Sequence, residues 1–262
     1  MRWIRNVLGL AVLFVALTFI VMIVLGNSID RDRDASLGPA SGSVTAKPTA
    51  TVTLISADTP LTRATVERVS DGDTIRVRIG SNVETLRLIG IDAPETPSNA
   101  PHDCLAIEAR DYLVRLIEGK TVYLESDVND RDQFRRLLRY VWIPKGDGYL
   151  MVNQLLVGRG LAMANTYWED DRHADTLART ELSAIATQTG IWGTCVSSTG
   201  NGTAGAPETW DGSSDLDCGD FATRVNAQAF YAAMGGPASD PHNLDVDRNG
   251  LVCHGRPPTE PT

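Results

Sequence analysis

The span from residue 74 to residue 95 constrains the fold most. Thr74 to Ile79, T-I-R-V-R-I, sets Ile75, Val77 and Ile79 against Arg76 and Arg78, the period-two alternation of a half-buried strand. Gly80-Ser81-Asn82 is turn material, and Glu84 to Ile91 returns as an apolar strand built on Leu86, Leu88, Ile89 and Ile91. The pair predicts a hairpin. Its second strand is unusual, because it carries Arg87 in its interior and stops on Asp92-Ala93-Pro94-Glu95. A proline cannot continue a ladder. A guanidinium inside an apolar strand either pairs with a structural carboxylate or waits for an anion.

The rest of the chain supplies the partners for this hairpin. Arg63 to Val69, Thr121 to Glu125 and Leu137 to Ile143 predict three more strands. His102 to Glu118, with Leu105, Ala109, Tyr112, Leu113, Leu116 and Ile117 near helical spacing and Gly119 as its C-cap, predicts an amphipathic helix. Leu150 to Gly158 and Asp171 to Thr189 predict two further helices. Five short strands in a meander, with one helix inserted after the third and others appended after the fifth, point to a small, partly open β-barrel of the OB type, an α+β fold. The domain expected is 61–196, closing near Trp192 to Cys195. A linker follows at 197–214, then a small acidic module at 215–255 and a disordered tail at 256–262.

Ahead of the barrel lie two segments of different character. Residues 7 to 26 carry no charge, and twenty helical residues reach about 30 Å, enough to cross a bilayer. Arg2 and Arg5 precede the run, which places the N-terminus inside and the remainder of the chain outside. The expectation is a single-pass anchor over 1–26 in the cell membrane, since the run is longer than an ordinary signal core and Val24-Leu25-Gly26 matches a cleavage site poorly; the alternative is a cleaved signal and a secreted protein. Residues 27 to 60, rich in Ser, Thr, Ala, Pro and Asp, suit a flexible stalk. Either route exports the chain and makes its four cysteines candidates for disulfides. Of the three possible pairings, Cys104–Cys195 and Cys218–Cys253 are the natural ones, because each staples one domain; the alternative is four buried thiols.

Charge limits the function classes. Residues 61–196 hold 16 basic and 20 acidic side chains, and residues 197–262 hold 3 and 9. Nonspecific binding to nucleic acid draws on phosphate neutralisation, so an acidic chain must hold a polyanion through a local patch or a metal. The cluster Arg131 to Arg139, R-D-Q-F-R-R-L-L-R, is the candidate patch.

Taken together, D-G-D-T (Asp71–Thr74), R-L-I-G-I-D-A-P-E (Arg87–Glu95) and D-x-F-x-R (Asp132–Arg136) ahead of an apolar strand resemble the staphylococcal nuclease (thermonuclease) family in order, spacing and context. The resemblance covers residues 62–195 and includes the closing G-I-W-G at Gly190 to Gly193. It implies that Asp73 and Asp92, with the carbonyl of Ala93, hold a calcium ion, a hard ion that takes six to eight oxygens. It implies that Glu95 deprotonates the attacking water, that Arg87 and Arg136 clamp the scissile phosphate, and that cleavage of DNA or RNA, single- or double-stranded, leaves 3′-phosphate and 5′-hydroxyl ends. Two departures bear on these roles. The family usually has glycine where this chain has Arg135, which leaves Arg135 a second candidate for phosphate contact, and Gln133-Phe134 stands where Lys-Tyr or Arg-Tyr is common. Tyr167 and Trp168 fall where the family sets aromatic side chains against a base, a position that ordinary packing would also explain.

The acidic module, through D-L-D-C-G-D-F (Asp215–Phe221) and D-P-H-N-L-D-V-D-R-N-G-L-V-C (Asp240–Cys253), resembles the excalibur calcium-binding domain. Asp245, Asp247 and Asn249 take positions 1, 3 and 5 of an EF-hand-like loop, Gly250 turns the chain and the Leu251 carbonyl follows. His254 replaces the usual glutamate, and Arg256 stands where position 12 would want one, so a second calcium ion would bind weakly. A disulfide-stapled turn without metal is the alternative. The combined expectation is a calcium-dependent nuclease outside the cytoplasm, with nucleic acid as its substrate and no obligate protein partner. An inactive OB-fold nucleic-acid-binding protein and a structural surface protein are the rival readings.

Overall fold

The structure, a computed structural model, describes residues 54–56, 60–97, 103–165, 169–196 and 203–254. The run 7–26, most of the 27–60 stalk, and Tyr167 and Trp168 lie outside the described residues. Among the described residues no helix is long and apolar enough to cross a membrane.

Five strands close a barrel. They are β2 (Thr62–Val69), β3 (Thr74–Ile79), β4 (Asn82–Leu88), β6 (Thr121–Glu125) and β7 (Leu137–Lys145). The first three form an antiparallel meander. After that the order departs from a meander: β6 returns to pair with β2, and β7 lies antiparallel to β6 and parallel to β4, which completes the ring. A closed barrel leaves no edge between these strands. Two short edge strands add to β7: β8 (Gly148–Met151), and on it β1 (Leu54–Ser56), inside the expected stalk. The two-residue strands β5 (Ile91–Asp92) and β9 (Met163–Ala164) pair with one another outside the barrel.

Alternation along the strands produces the core. Val66, Ile75, Val77, Leu86, Leu88, Val122, Val141 and Trp142 are fully buried in one cluster with Leu113 and Ile117 of helix α1 (Ala106–Ile117). That helix buries Ala106, Ala109, Leu113 and Ile117 at helical spacing. Gly119 follows its end at φ 74°, in the left-handed conformation expected of a C-cap. Leu150 and Met151, expected as the start of a helix, belong to β8, and α2 begins at Val152 and runs to Gly158. Helix α3 (Ala174–Ala186) and the one-turn α4 (Ile191–Thr194) follow.

The acidic module carries α5 (Arg224–Ala233) and a short 3₁₀ turn at Gly236–Ala238. Its small core gathers Leu216, Phe221, Phe230, Tyr231, Leu244 and Val252. The boundary expected at residue 214 does not hold in space. Ala206 is buried in this core, and the Trp210 ring meets the Phe230 ring edge-on at 4.9 Å, so part of the expected linker belongs to the module. The two disulfides join Cys104 to Cys195 and Cys218 to Cys253, with Cα separations of 5.8 and 5.7 Å.

Candidate active site

The site is built at one end of the β3–β4 hairpin. The turn before β3 is tied by the Ser70 and Asp71 amides, which both donate to the Thr74 carbonyl. Gly72 lets that turn press against the end of β5, since a Cβ there would lie 2.6 Å from the Ala93 Cβ. The close approach buries Asp73, which is 2% exposed. Its Oδ2 accepts the Ala93 N–H at 2.9 Å and its Oδ1 accepts the Thr74 hydroxyl at 3.0 Å.

Arg87 does not continue the apolar face of β4. Its guanidinium turns to Asp73 through Nη1, and through Nη2 to Asp92 Oδ1 at 2.8 Å and the Ile91 carbonyl at 3.2 Å. The strand expected to run to Ile91 breaks after Leu88 so that this can happen. Gly90 takes φ 75° and has no room for a Cβ, which would fall 2.6 Å from Leu177 Cδ1. Ile91 and Asp92 then fold back, pairing with Ala164 and Met163. Buried Asn153 steadies the break, donating to the Ile89 carbonyl at 2.8 Å while accepting the Val141 N–H at 2.9 Å. Thus Asp73, Arg87, Asp92 and Ala93, spread over twenty positions, meet at one point.

Glu95 stands at the mouth of this cluster. The residue as a whole is exposed, yet its carboxyl is pushed up to about 7. Loss of solvent is the largest cause, followed by a hydrogen bond with the Asp71 carboxylate and by the charges of Asp71 and Asp92, against the pull of Arg87. A carboxyl in that range can both take and return a proton near neutral pH.

The second arginine patch lies one strand over, since β4 and β7 are paired in parallel and Arg87 faces Leu138 in register. An open groove of about 690 Å³ is lined by Val83, Glu84, Thr85, Arg131, Phe134, Arg135 and Arg136. Asp132 organises the turn, accepting the Arg136 N–H at 2.9 Å and its Nε at 2.6 Å. The Arg136 guanidinium lies 5.3 Å from the centre of the exposed Phe134 ring. Arg131 forks onto Glu84 with two bonds of 3.0 Å, which holds that carboxyl below its usual range. Arg135 takes φ 65°, a left-handed position that explains why glycine is usual there. Its side chain is exposed, while Arg136 is half-buried and held in place.

The donor chemistry at the first cluster fits a hard cation. Two carboxylates converge on one positive group, and the buried Ala93 main chain adjoins them. Among the described residues no three His, Cys, Asp or Glu side chains gather closely enough to form a metal cluster. An ion held here would therefore complete its shell with water and substrate oxygens. In the acidic module Asp245, Asp247 and Asn249 share one loop, with Gly250 at φ 89°. Their oxygens are engaged within the module: buried Asp245 accepts the Tyr231 hydroxyl and the Gly250 N–H, both at 2.9 Å, exposed Asp247 accepts the Asn249 side chain at 2.8 Å, and Asn249 accepts the Leu251 N–H at 2.7 Å. Leu251 itself is buried.

Three acids in and beside these two clusters went unassigned from the sequence. Asp71 bonds Glu95, Asp103 holds the Glu95 main chain, and Asp132 seats Arg136. Asp71 and Asp132 stand inside the quoted motifs, so their position was a usable signal. Asp103 gave none.

The family model for staphylococcal nuclease homologues matches residues 85–194. A thermonuclease of Staphylococcus hyicus is 35% identical over 128 residues, covering 48% of this chain and 73% of that protein. A thermonuclease of Staphylococcus intermedius is 34% identical over 128 residues, covering 48% and 74%. The endonuclease YncB of Bacillus subtilis is 33% identical over 137 residues, covering 50% and 62%. With the barrel, the paired acids on Arg87 and the raised Glu95 at one end of β4, these matches establish that the chain belongs to the staphylococcal nuclease family, whose chemistry is phosphodiester hydrolysis.

Proposed function

We propose that this protein is a calcium-dependent nuclease that acts on DNA or RNA outside the cytoplasm. The observation that carries the reading is the convergence of Asp73, Arg87 and Asp92 beside a glutamate whose carboxyl sits near neutrality. Calcium held by Asp73, Asp92 and the Ala93 carbonyl would supply a hard positive charge that offsets carboxylates otherwise repellent to phosphate. Glu95 takes the proton of the attacking water. Arg87 and Arg136 stabilise the charge that builds on the phosphate oxygens in the transition state, with Arg135 as an outer phosphate contact and Tyr167 and Trp168 as base contacts. As the water oxygen bonds to phosphorus the P–O5′ bond breaks, and the 5′ oxygen takes a proton from solvent, giving 3′-phosphate and 5′-hydroxyl ends.

The uncharged run 7–26 supports export, with a membrane anchor over 1–26 as the reading and secretion as the alternative. The C-terminal module we read as of excalibur type. Its loop Asp245–Leu251 would take a second calcium ion only weakly, because two carboxylates and one amide are few ligands.

Cleavage of single-stranded DNA by the full chain tests the reading, with calcium, with chelator, and with Arg136→Ala. The expected result is calcium-dependent cleavage to 3′-phosphate ends, abolished by chelation. In Arg136→Ala kcat should fall about 10²- to 10³-fold, the usual cost of losing one donor to a developing anion. Folded, oxidised, calcium-loaded protein that binds DNA but leaves it intact would overturn the enzyme and leave an OB-fold binding protein.

A further inference from the structure

Glu95 has both main-chain polar groups taken by one residue. Its N–H donates to Asp103 Oδ2 at 3.0 Å, and its carbonyl accepts the Asp103 N–H at 3.1 Å. Asp103 precedes Cys104, which is bonded to Cys195 across 91 positions. Next comes Leu105 at φ 64°, ahead of helix α1, with no side-chain cap to hold the helix start. The Asp103 carbonyl accepts the Ala106 N–H at 3.1 Å. Leu105 itself packs against the buried cluster that holds Ile191 and Trp192, as does Cys195. A leucine in the left-handed region persists only where its surroundings hold it there. The holding groups here are the disulfide and the Trp192 cluster.

We infer that Asp103 is a positioning residue for Glu95, and that the Cys104–Cys195 bond anchors it. The inference rests on Glu95 as the base. The physical link is short and continuous: a covalent bond fixes Cys104, its neighbour Asp103 grips Glu95 at two points, and Glu95 faces the metal-binding acids. Asp103 and the disulfide act only through Glu95. Loss of either should therefore change how often Glu95 is in place to take a proton, and leave substrate affinity nearly unchanged. Misplacing a reacting group by about 1 Å can cost about 10²-fold in rate.

The test measures kcat and KM for single-stranded DNA with the full chain and saturating calcium, below the melting temperature of every variant. The variants are Asp103→Ala, Asp103→Asn, Cys104→Ser with Cys195→Ser, the triple combination with Asp103→Ala, and Glu95→Gln. Asp103→Ala should lower kcat about 10- to 100-fold with KM changed by less than about twofold. Asp103→Asn keeps an acceptor oxygen and the main-chain N–H, so it should recover most of that loss. The serine pair should lower kcat to a similar extent, and the triple variant should be little worse than either alone, as expected for groups acting in series. Wild-type kcat in Asp103→Ala, or a triple variant whose losses multiply, overturns the proposal while an inactive Glu95→Gln leaves the base assignment standing. Wild-type turnover in Glu95→Gln overturns the base assignment and this inference together.

Discussion

At the scale of single residues, Arg87 is the pivot. Its side chain is 9% exposed and bridges Asp73, 2% exposed, and Asp92, 29% exposed. Removing one member of a buried ion pair strands the remaining charge and costs about 3–5 kcal/mol. Arg87→Ala should therefore lower unfolding free energy by about that much without calcium, when two acids lose their cation. With calcium the loss should be smaller, because the ion would take over the compensation. Urea denaturation with calcium and with chelator checks this, and an equal loss in both would remove the argument for a shared cation site. Much at this scale was legible. D-G-D-T and the arginine-to-glutamate segment quoted above hold both acids that pair with Arg87. What the sequence did not disclose is pairing, because Asp73 reaches Ala93 across twenty positions and Asp103 grips Glu95 only once the chain between them is folded. The arginine expected to wait for phosphate is already held by two carboxylates.

At the scale of elements, alternation located the barrel strands to within a few residues, since period-two burial leaves a clear mark. It failed where burial was uneven. Gly148–Met151 sits at the margin of the core and has no alternation to speak of, so its last two residues merged with the helix that follows. Leu54–Ser56 pairs with that strand, and its Ile55 packs against the core. The consequential difference is the break at Gly90. A continuous strand from Glu84 to Ile91 would carry Asp92 away along the barrel, whereas the break returns it to Arg87. Gly90 has positive φ and a neighbouring leucine in the space of its missing Cβ. Gly90→Ala adds left-handed strain of about 1–2 kcal/mol and an overpacking cost of about 1–3 kcal/mol. The expected outcome is a loss of about 2–5 kcal/mol in denaturant unfolding and a fall in kcat as Asp92 leaves its partner. A variant with unchanged stability would mean that Leu177 yields and that the break is not under steric control.

At the scale of the whole molecule, the acidic module is docked, although composition marked residues 197–214 as a linker between two domains. Arg224, the first residue of α5, reaches into the barrel domain. It donates to Glu181 Oε2 at 2.6 Å, to the Ala164 carbonyl at 2.7 Å and to the Val252 carbonyl of its own module at 3.1 Å. Val225 beside it packs with Ala184, Ile191 and Trp192. Glu181 is fully buried, and its other oxygen accepts the Ala164 N–H at 2.9 Å. Burial pushes this carboxyl up, and Arg224 and the Ala164 amide oppose it. None of this shows in the sequence, because the partners stand 43 positions apart and an isolated Arg has no pattern. Arg224→Ala leaves Glu181 buried without its cation and should cost about 3–5 kcal/mol near neutral pH. The sign of the pH dependence follows from linkage. A carboxyl whose folded-state affinity for protons is raised loses stability as pH climbs from its unfolded value to its folded one, and is level above. Removing Arg224 raises the folded value further and widens that window, so the difference between variant and wild type should grow with pH. Urea denaturation at about pH 5 and about pH 8 should show a clearly larger deficit at the higher pH. A deficit independent of pH would assign the loss to packing around Val225 instead of the ion pair. Because Ala164 pairs with Ile91, next to Asp92, the same variant should weaken cleavage more than a substitution at exposed Val246 on the same module.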